Sequence, residues 1–284
     1  MMHLRTLFTI ASLTIATTAF AADSNFERTL NVSSTPNLNV ATGSGNIRIR
    51  NGSDNQIRIV GHVHASHGWM SGDAESRVQQ IANNPPIVQN GNDITIGERH
   101  NNDLFRNITI DYDITTPRSS VLVTTSGSGD IDIQDAGSSL KAQTGSGNIR
   151  ARGIAGASVL GTGSGDIDFQ QSAPGDVKAE TGSGNLVLRG ISGGLRSSTG
   201  SGNIEVEGQP TTDWKLSTGS GNISLAVGSG ARFNLDADTG SGSINVQQPI
   251  TMQGSLNRHH INGVVNGGGA TIRANTGSGD IQIR

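Results

Sequence analysis

Three groups of side chains in this sequence have types and spacings that suggest chemistry. The first is a carboxylate series. Asp130, Asp166 and Asp280 each directly follow a Gly-Ser-Gly triplet, a pattern close to the Gly-Gly-x-Gly-x-Asp nonapeptide that binds calcium in β-rolls. The register argues against calcium. The polar residue follows the second Gly immediately, and the equivalent position is Asn at 46, 148, 185, 203 and 222 and Ser at 243, whereas a hard cation requires carboxylate oxygen. The second group is hydroxyl-rich: Thr and Ser two residues apart, repeated along a stack, resemble the flat array of an ice-binding face, although flanking Gly predicts a bend there. The third is His62, His64 and His67. The first two share one face of an extended strand, as a transition-metal site would require, but exposed strand histidines give the same pattern. His259 and His260 are adjacent and would point to opposite faces.

None of these groups assembles a catalytic constellation. Acidic residues are dispersed, and no Asp, Glu, Lys or His set recurs on one inferred face, so the sequence assigns no catalytic, cofactor-binding or metal-binding residue and no cofactor. The formal charge is -3 over 284 residues, and Lys and Arg look scattered, which argues against nucleic acid and anionic membrane as partners.

The elements that would position such groups follow from one motif. Thr-Gly-Ser-Gly occurs eight times and Ser-Gly-Ser-Gly once, starting at Thr42, Ser126, Thr144, Thr162, Thr181, Thr199, Thr218, Thr239 and Thr276. From Ser126 onward the spacings are 18, 18, 19, 18, 19, 21 and 37 residues, the last close to two periods. Such self-similarity predicts stacked units. Each Gly-Ser-Gly-Asn/Asp is followed by an apolar alternation, such as Ile131 and Ile133 or Ile167 and Phe169. A second alternation precedes each Thr, as in Leu140 and Ala142 or Trp214 and Leu216. About 18 residues hold two short strands and two turns but no helix. The predicted fold is all-β, a single-stranded parallel β-helix or β-solenoid of about 18-residue coils. Its Gly would take positive φ at the corner or admit close approach, and its Asn or Asp would tolerate the left-handed region or hydrogen-bond along the stack.

Two regions depart from the repeat. Residues 1–21 have the apolar run and the Ala19-Phe20-Ala21 pattern of a signal peptide, leaving 22–284 as an exported β-solenoid domain. Nothing later is apolar enough to span a membrane, and no Cys is present. Residues 51–125 read as a non-repeat capping segment ahead of the regular coils at 126–284. It carries a helix at about 73–83 capped by Ser71 or Asp73, a hairpin around Asn90-Gly91 (Ile87 to Gln89 with Ile94 to Ile96), and a longer strand through Ile108, Ile110, Tyr112 and Ile114. The helix is expected to cap the N-terminal end of the stack. Residues 254–269 read as a degenerate coil, with no capping device at the C-terminal end.

The signal peptide, the helix-bearing N-terminal segment, Asp111-Tyr112-Asp113-Ile114-Thr115-Thr116-Pro117 and the serial Gly-Ser-Gly-Asp/Asn-Ile units together resemble the "putative adhesin" family of bacterial β-helix proteins, similar in style to the head domain of autotransporter adhesins. The resemblance implies a β-helix of unknown function. The expected role is that of an exported, non-enzymatic, adhesin-like interaction or structural module in the periplasm or at the cell surface, with a protein or glycan partner. The site would lie on the Ser, Thr and Asn rich flank or, preferentially, in 51–125, which is expected to be removable without unfolding the stack. The rival expectation is a polysaccharide lyase or hydrolase on the same scaffold.

Overall fold

A computed structural model describes residues 23–33, 35–65, 73–97, 103–252 and 258–284; the signal peptide expected over 1–21, Ser71 and His67 lie outside them. Two long sheets face each other across a continuous aliphatic core. The 13-stranded sheet collects the strands that lead into Thr-Gly-Ser-Gly and is called here the threonine sheet. The 12-stranded sheet collects the strands that leave it and is called the isoleucine sheet.

Period-two alternation explains both. In Ser139–Thr144, Leu140, Ala142 and Thr144 are buried and Lys141 and Gln143 are exposed; in Ile149–Ala155, Ile149 and Ala151 are buried and Arg150 and Arg152 are exposed. Parallel pairing keeps like positions together. Thr144 pairs with Thr162, Thr162 with Thr181, Thr181 with Thr199 and Thr199 with Thr218. In the other sheet, Ile131, Ile149, Ile167, Leu186, Ile204, Ile223 and Ile281 form one column. Burial of such a side chain is worth about 1.5–3 kcal/mol, and only stacking neighbours provide it, so no layer is stable alone.

Layer order differs from chain order at both ends. The Thr42 layer sits between the Ser126 layer and an outer layer made from Asp93–Gly97 and Ile108–Thr116. At the other end the last repeat is inserted before the one preceding it: Thr218 pairs with Thr276, and Thr276 pairs with Thr239. The 37-residue spacing therefore does not contain a degenerate coil in the stack. His260–Val265 instead runs antiparallel along Phe233–Ser241, with Ile250–Met252 antiparallel beyond it, and a turn with positive φ at Asn266, Gly267 and Gly268 returns the chain to Ala270–Ser278. These antiparallel strands close the C-terminal end of the threonine sheet, correcting the expectation of an open end.

At the N-terminal end, Asp23–Asn31 and Gln56–Ala65 extend the isoleucine sheet antiparallel beyond Ile108–Thr116. The helix Ala74–Asn83 packs on these two strands through Ala74, Val78 and Ile81, with Asp73 at the N-cap making no side-chain capping bond. The hairpin Ile87–Asn90 with Asp93–Gly97 forms the edge of the threonine sheet. Residues 51–125 thus contribute strands to both sheets. Deleting them would remove the layer beside the Thr42 repeat, so the segment is not a separable ornament.

Candidate functional site

The corner motif is accounted for by backbone packing. From Thr144 onward each Thr hydroxyl donates to a Gly carbonyl of the adjoining layer, as Thr162 Oγ1 does to Gly147 O at 2.8 Å, and in the Thr42, Ser126, Thr144 and Thr162 repeats the hydroxyl also accepts the N–H three residues on, as from Gly165 to Thr162 at 3.2 Å. Thr144, Thr162, Thr181, Thr199, Thr218, Thr239 and Thr276 are all buried, so they present no hydroxyl array to solvent and the ice-binding pattern fails. The second Gly is required by contact: a Cβ on Gly165 would lie 1.9 Å from Gly147 O, and one on Gly129 would lie 1.9 Å from Gly45 O. Positive φ is not the general reason, since among the second glycines it occurs only at Gly221, Gly242 and Gly279.

The Asn and Asp series is a hydrogen-bond ladder. Asp130 N–H donates to Asn46 Oδ1, Asn148 N–H to Asp130 Oδ1, Asp166 N–H to Asn148 Oδ1 and Asn185 N–H to Asp166 Oδ1, at 2.7–3.0 Å. It continues through Asn203, Asn222 and Asp280 to Ser243, and back to Asp111, whose Oδ1 accepts from Asn46 N–H. None of these repeat residues adopts the left-handed region; they act through the side-chain oxygen. Asp and Asn alternate from Asp111 to Asn185, so carboxylates sit two layers apart and the intervening amide separates them. Asn148→Asp would place carboxylates on three successive layers and delete the amide donor to Asp130 Oδ1 (3.2 Å). It is expected to lower stability by about 0.5–1 kcal/mol in urea titrations, and the loss should shrink in ~1 M salt, where the screening length is about 3 Å.

His62 and His64 do share the outer face of Gln56–Ala65, as their spacing predicts. His62 Nε2 lies 3.2 Å from Asp113 Oδ2 and Nδ1 lies 2.9 Å from Asn25 Oδ1. His64 Nδ1 lies 3.0 Å from Asp23 Oδ1 and Nε2 lies 3.5 Å from Asp111 Oδ2. Each ring nitrogen thus has an oxygen partner, and among the described residues no group of three or more such side chains is placed to hold a metal ion. His260 lies beside Asp238, 3.4 Å from Oδ2. On the same antiparallel face Arg58 donates to Glu27 at 2.6 Å, which holds the Glu27 carboxyl below its ordinary range.

Charge on the two outer faces follows two different rules. On the isoleucine sheet, pairing aligns Asp113, Arg48, Asp132, Arg150 and Asp168, a column that alternates in sign layer by layer. Arg152 and Arg189 both reach Asp168, at 2.7 and 3.0 Å. This face neutralises itself. On the threonine sheet the corresponding column reads Lys141, Val159, Lys178, Arg196, Lys215 and Arg273, then Asp236. Four cations occupy adjacent strands in register. Lys178 pairs with Glu180 at 2.9 Å and Arg273 approaches Asp236 at 3.9 Å, while Lys141, Arg196 and Lys215 have no carboxylate within 4.0 Å among the described residues. The basic residues that look scattered in the chain are therefore collected by the fold. The signal was in the sequence: each of the five stands three residues before the Thr of its repeat, and aligning on Thr brings them into one column.

Such a geometry defines a class: an all-β scaffold of stacked repeats whose recurring corner serves the backbone and whose outward positions differ from repeat to repeat. Within that class, the chain belongs to the Toastrack DUF4097 family, whose model matches residues 35–284. Solved structures similar to it include the following two. A protein of Parabacteroides distasonis described as a putative lipid binding protein is 14% identical, with a TM-score of 0.50, over 92% of this chain and 97% of its own. A protein of Bacteroides fragilis described as a putative adhesin is 12% identical, with a TM-score of 0.46, over 92% and 97%. At 14% identity and a TM-score of 0.50, the likeness to the first concerns the fold alone. No curated protein matches the sequence.

Proposed function

We propose that the chain is an exported, non-enzymatic, adhesin-like interaction module: a β-solenoid with one coil per about 18 residues that engages its partner through the outer face of its stacked strands. The observation that carries this reading is the threonine-sheet column, where four like charges are stacked on neighbouring strands and the central two, Arg196 and Lys215, have no acid within 4.0 Å among the described residues. An extended ladder of this kind suits a partner that lies along the sheet. Export rests on the leader pattern of residues 1–21, and among the described residues no helix is long and apolar enough to cross a membrane. The reading moves the site from 51–125, which the architecture uses to build layers, onto the repeats themselves. Fluorescently labelled protein is expected to be retained saturably on whole bacterial cells or isolated envelope polysaccharide, with no new reducing ends or unsaturated products released from acidic polysaccharides. Absence of retention on any surface would sink the proposal, and clear turnover would replace it with the lyase or hydrolase reading.

A further inference from the structure

We propose that the outer face of the threonine sheet binds a linear anionic polysaccharide laid along the stacking direction, held by Lys141, Lys178, Arg196, Lys215 and Arg273. This rests on the interaction-module reading and names its partner class. Strands in a sheet are about 4.8 Å apart, so Lys178 to Arg273 is a cationic run of roughly 14 Å and Lys141 extends it to roughly 24 Å. Like charges directly opposite one another destabilise a sheet. The same fold shows the self-neutralising solution on its other face, where Asp and Arg alternate. In the column that instead stacks Lys178, Arg196, Lys215 and Arg273, Glu180 and Asp236 relieve the outer two, and the repulsion at Arg196 and Lys215 is left to counterions or to a partner carrying negative charge at a comparable interval.

The surroundings favour a glycan among polyanions. The column on one side of the cations presents Gln143, Gly161, Glu180, Ser198, Ser217 and Asn275, mostly amides and hydroxyls that can hydrogen-bond sugar hydroxyls. The acids nearby are committed: Glu180 pairs with Lys178, Asp236 approaches Arg273 and Asp238 lies beside His260, while Asp176 and Asp213 accept the backbone N–H groups of Gly194 and Thr271 at 2.9 and 2.8 Å. These two columns contain no aromatic side chain on which bases would stack, which disfavours single-stranded nucleic acid. They also contain no aromatic anchor for a bilayer interface, and Val159, 40% exposed, is the one large exposed apolar residue in the cation column. Sugar carboxylates or sulfates spaced along a flexible chain match a row of Lys and Arg, whose long side chains adjust to small differences in interval.

The test is titration of the 22–284 protein with oligogalacturonate, a polysulfated glycan and neutral dextran, repeated from ~20 to ~200 mM salt. The expected result is binding to the anionic glycans only, with log K falling linearly against log salt, and at least about tenfold weaker binding for R196Q/K215Q. Arg150→Gln, on the opposite face, should bind as wild type. R196Q/K215Q should also melt at the same or a higher temperature than wild type, since repulsion is removed; a purely structural role for these residues would lower it. The proposal is overturned by unchanged binding in R196Q/K215Q, by no binding of either anionic glycan at low salt, or by tighter binding of single-stranded DNA or phosphatidylglycerol vesicles than of oligogalacturonate. Retention of R196Q/K215Q on whole cells at wild-type strength would remove this site while leaving the interaction-module reading intact.

Discussion

Trp214→Ala is expected to destabilise the protein by about 3–5 kcal/mol, the largest effect of any single truncation in the stack. Trp214 is fully buried, it aligns with Leu195 on one side and Ile272 on the other, and its indole Nε1 donates to Gly193 O at 2.8 Å. Truncation would open a cavity between the Thr199 and Thr276 layers and remove the indole's hydrogen bond to that carbonyl. Because each layer is stabilised by its neighbours, the damage should be local. Urea unfolding followed by circular dichroism is expected to split, with the layers beyond Thr218 lost before those from Ser126 to Thr199. Trp214→Phe should recover much of the loss. A midpoint for Trp214→Ala within about 0.5 kcal/mol of wild type would show that the indole is not a structural keystone of this part of the stack.

Gly165→Ala is expected to cost at least about 1–3 kcal/mol, although it adds a single methyl group. The new Cβ would stand 1.9 Å from Gly147 O, 2.6 Å from its carbonyl carbon and 3.0 Å from Asn148 N, all backbone atoms that cannot swing aside. Relief would require separating two layers, which would also stretch the Thr162 bond to Gly147 O and the Asn148 bond to Asp166 N–H. The contrasting substitution is Gly161→Ala, in the same repeat but on the open face, where nothing lies within 4 Å of the added atom. It should be neutral or slightly stabilising, because alanine restricts the unfolded chain more than glycine does. Equal melting temperatures for the two variants would refute the account of the corner given above.

The architecture of two sheets could be read from the chain because its determinants are local. Ile167 and Phe169 alternate within a few residues, Gly163-Ser164-Gly165 marks the corner beside them, and Val78 and Ile81 carry a helical period that no neighbouring segment disturbs. The hairpin around Asn90-Gly91 was equally legible, with Gly91 at positive φ in the turn. Layer order was not, because every repeat offers the same pairing edge. Thr218 can pair in register with Thr239 or Thr276 equally well as far as sequence shows, and in the fold the edge of Phe233–Ser241 away from Ala270–Ser278 is taken by the antiparallel strand His260–Val265. The glycines and the Asn/Asp series pointed to the right place for a partly different reason: steric contact and a ladder of Oδ1 acceptors, rather than unusual dihedral angles. The cationic column was hidden by the same repetition. Lys215 and Arg273 are 58 positions apart in the chain yet lie on neighbouring strands, so charge counted along the sequence is blind to charge summed across the sheet.

The displaced order of the terminal repeats bears on how the protein can change in length over evolution. In an array of stacked repeats the units contact only their neighbours, so a terminal repeat ordinarily touches one. Here the first and last Thr-Gly-Ser-Gly layers each touch two: Thr42 is flanked by the Ser126 layer and by Asp93–Gly97, and Thr276 by the Thr218 and Thr239 layers. A unit inserted beside Ile281–Ile283 would find no free edge, because that strand is already flanked by Ile223–Val227 and Ile244–Val246, whereas duplicating a unit between Ser126 and Thr218 would lengthen both sheets and leave the flanking layers untouched. Tandem duplication should therefore be tolerated between Ser126 and Thr218 and rejected beside the Thr42 and Thr276 layers, and the reach of the outer face would grow by one strand spacing with each unit added.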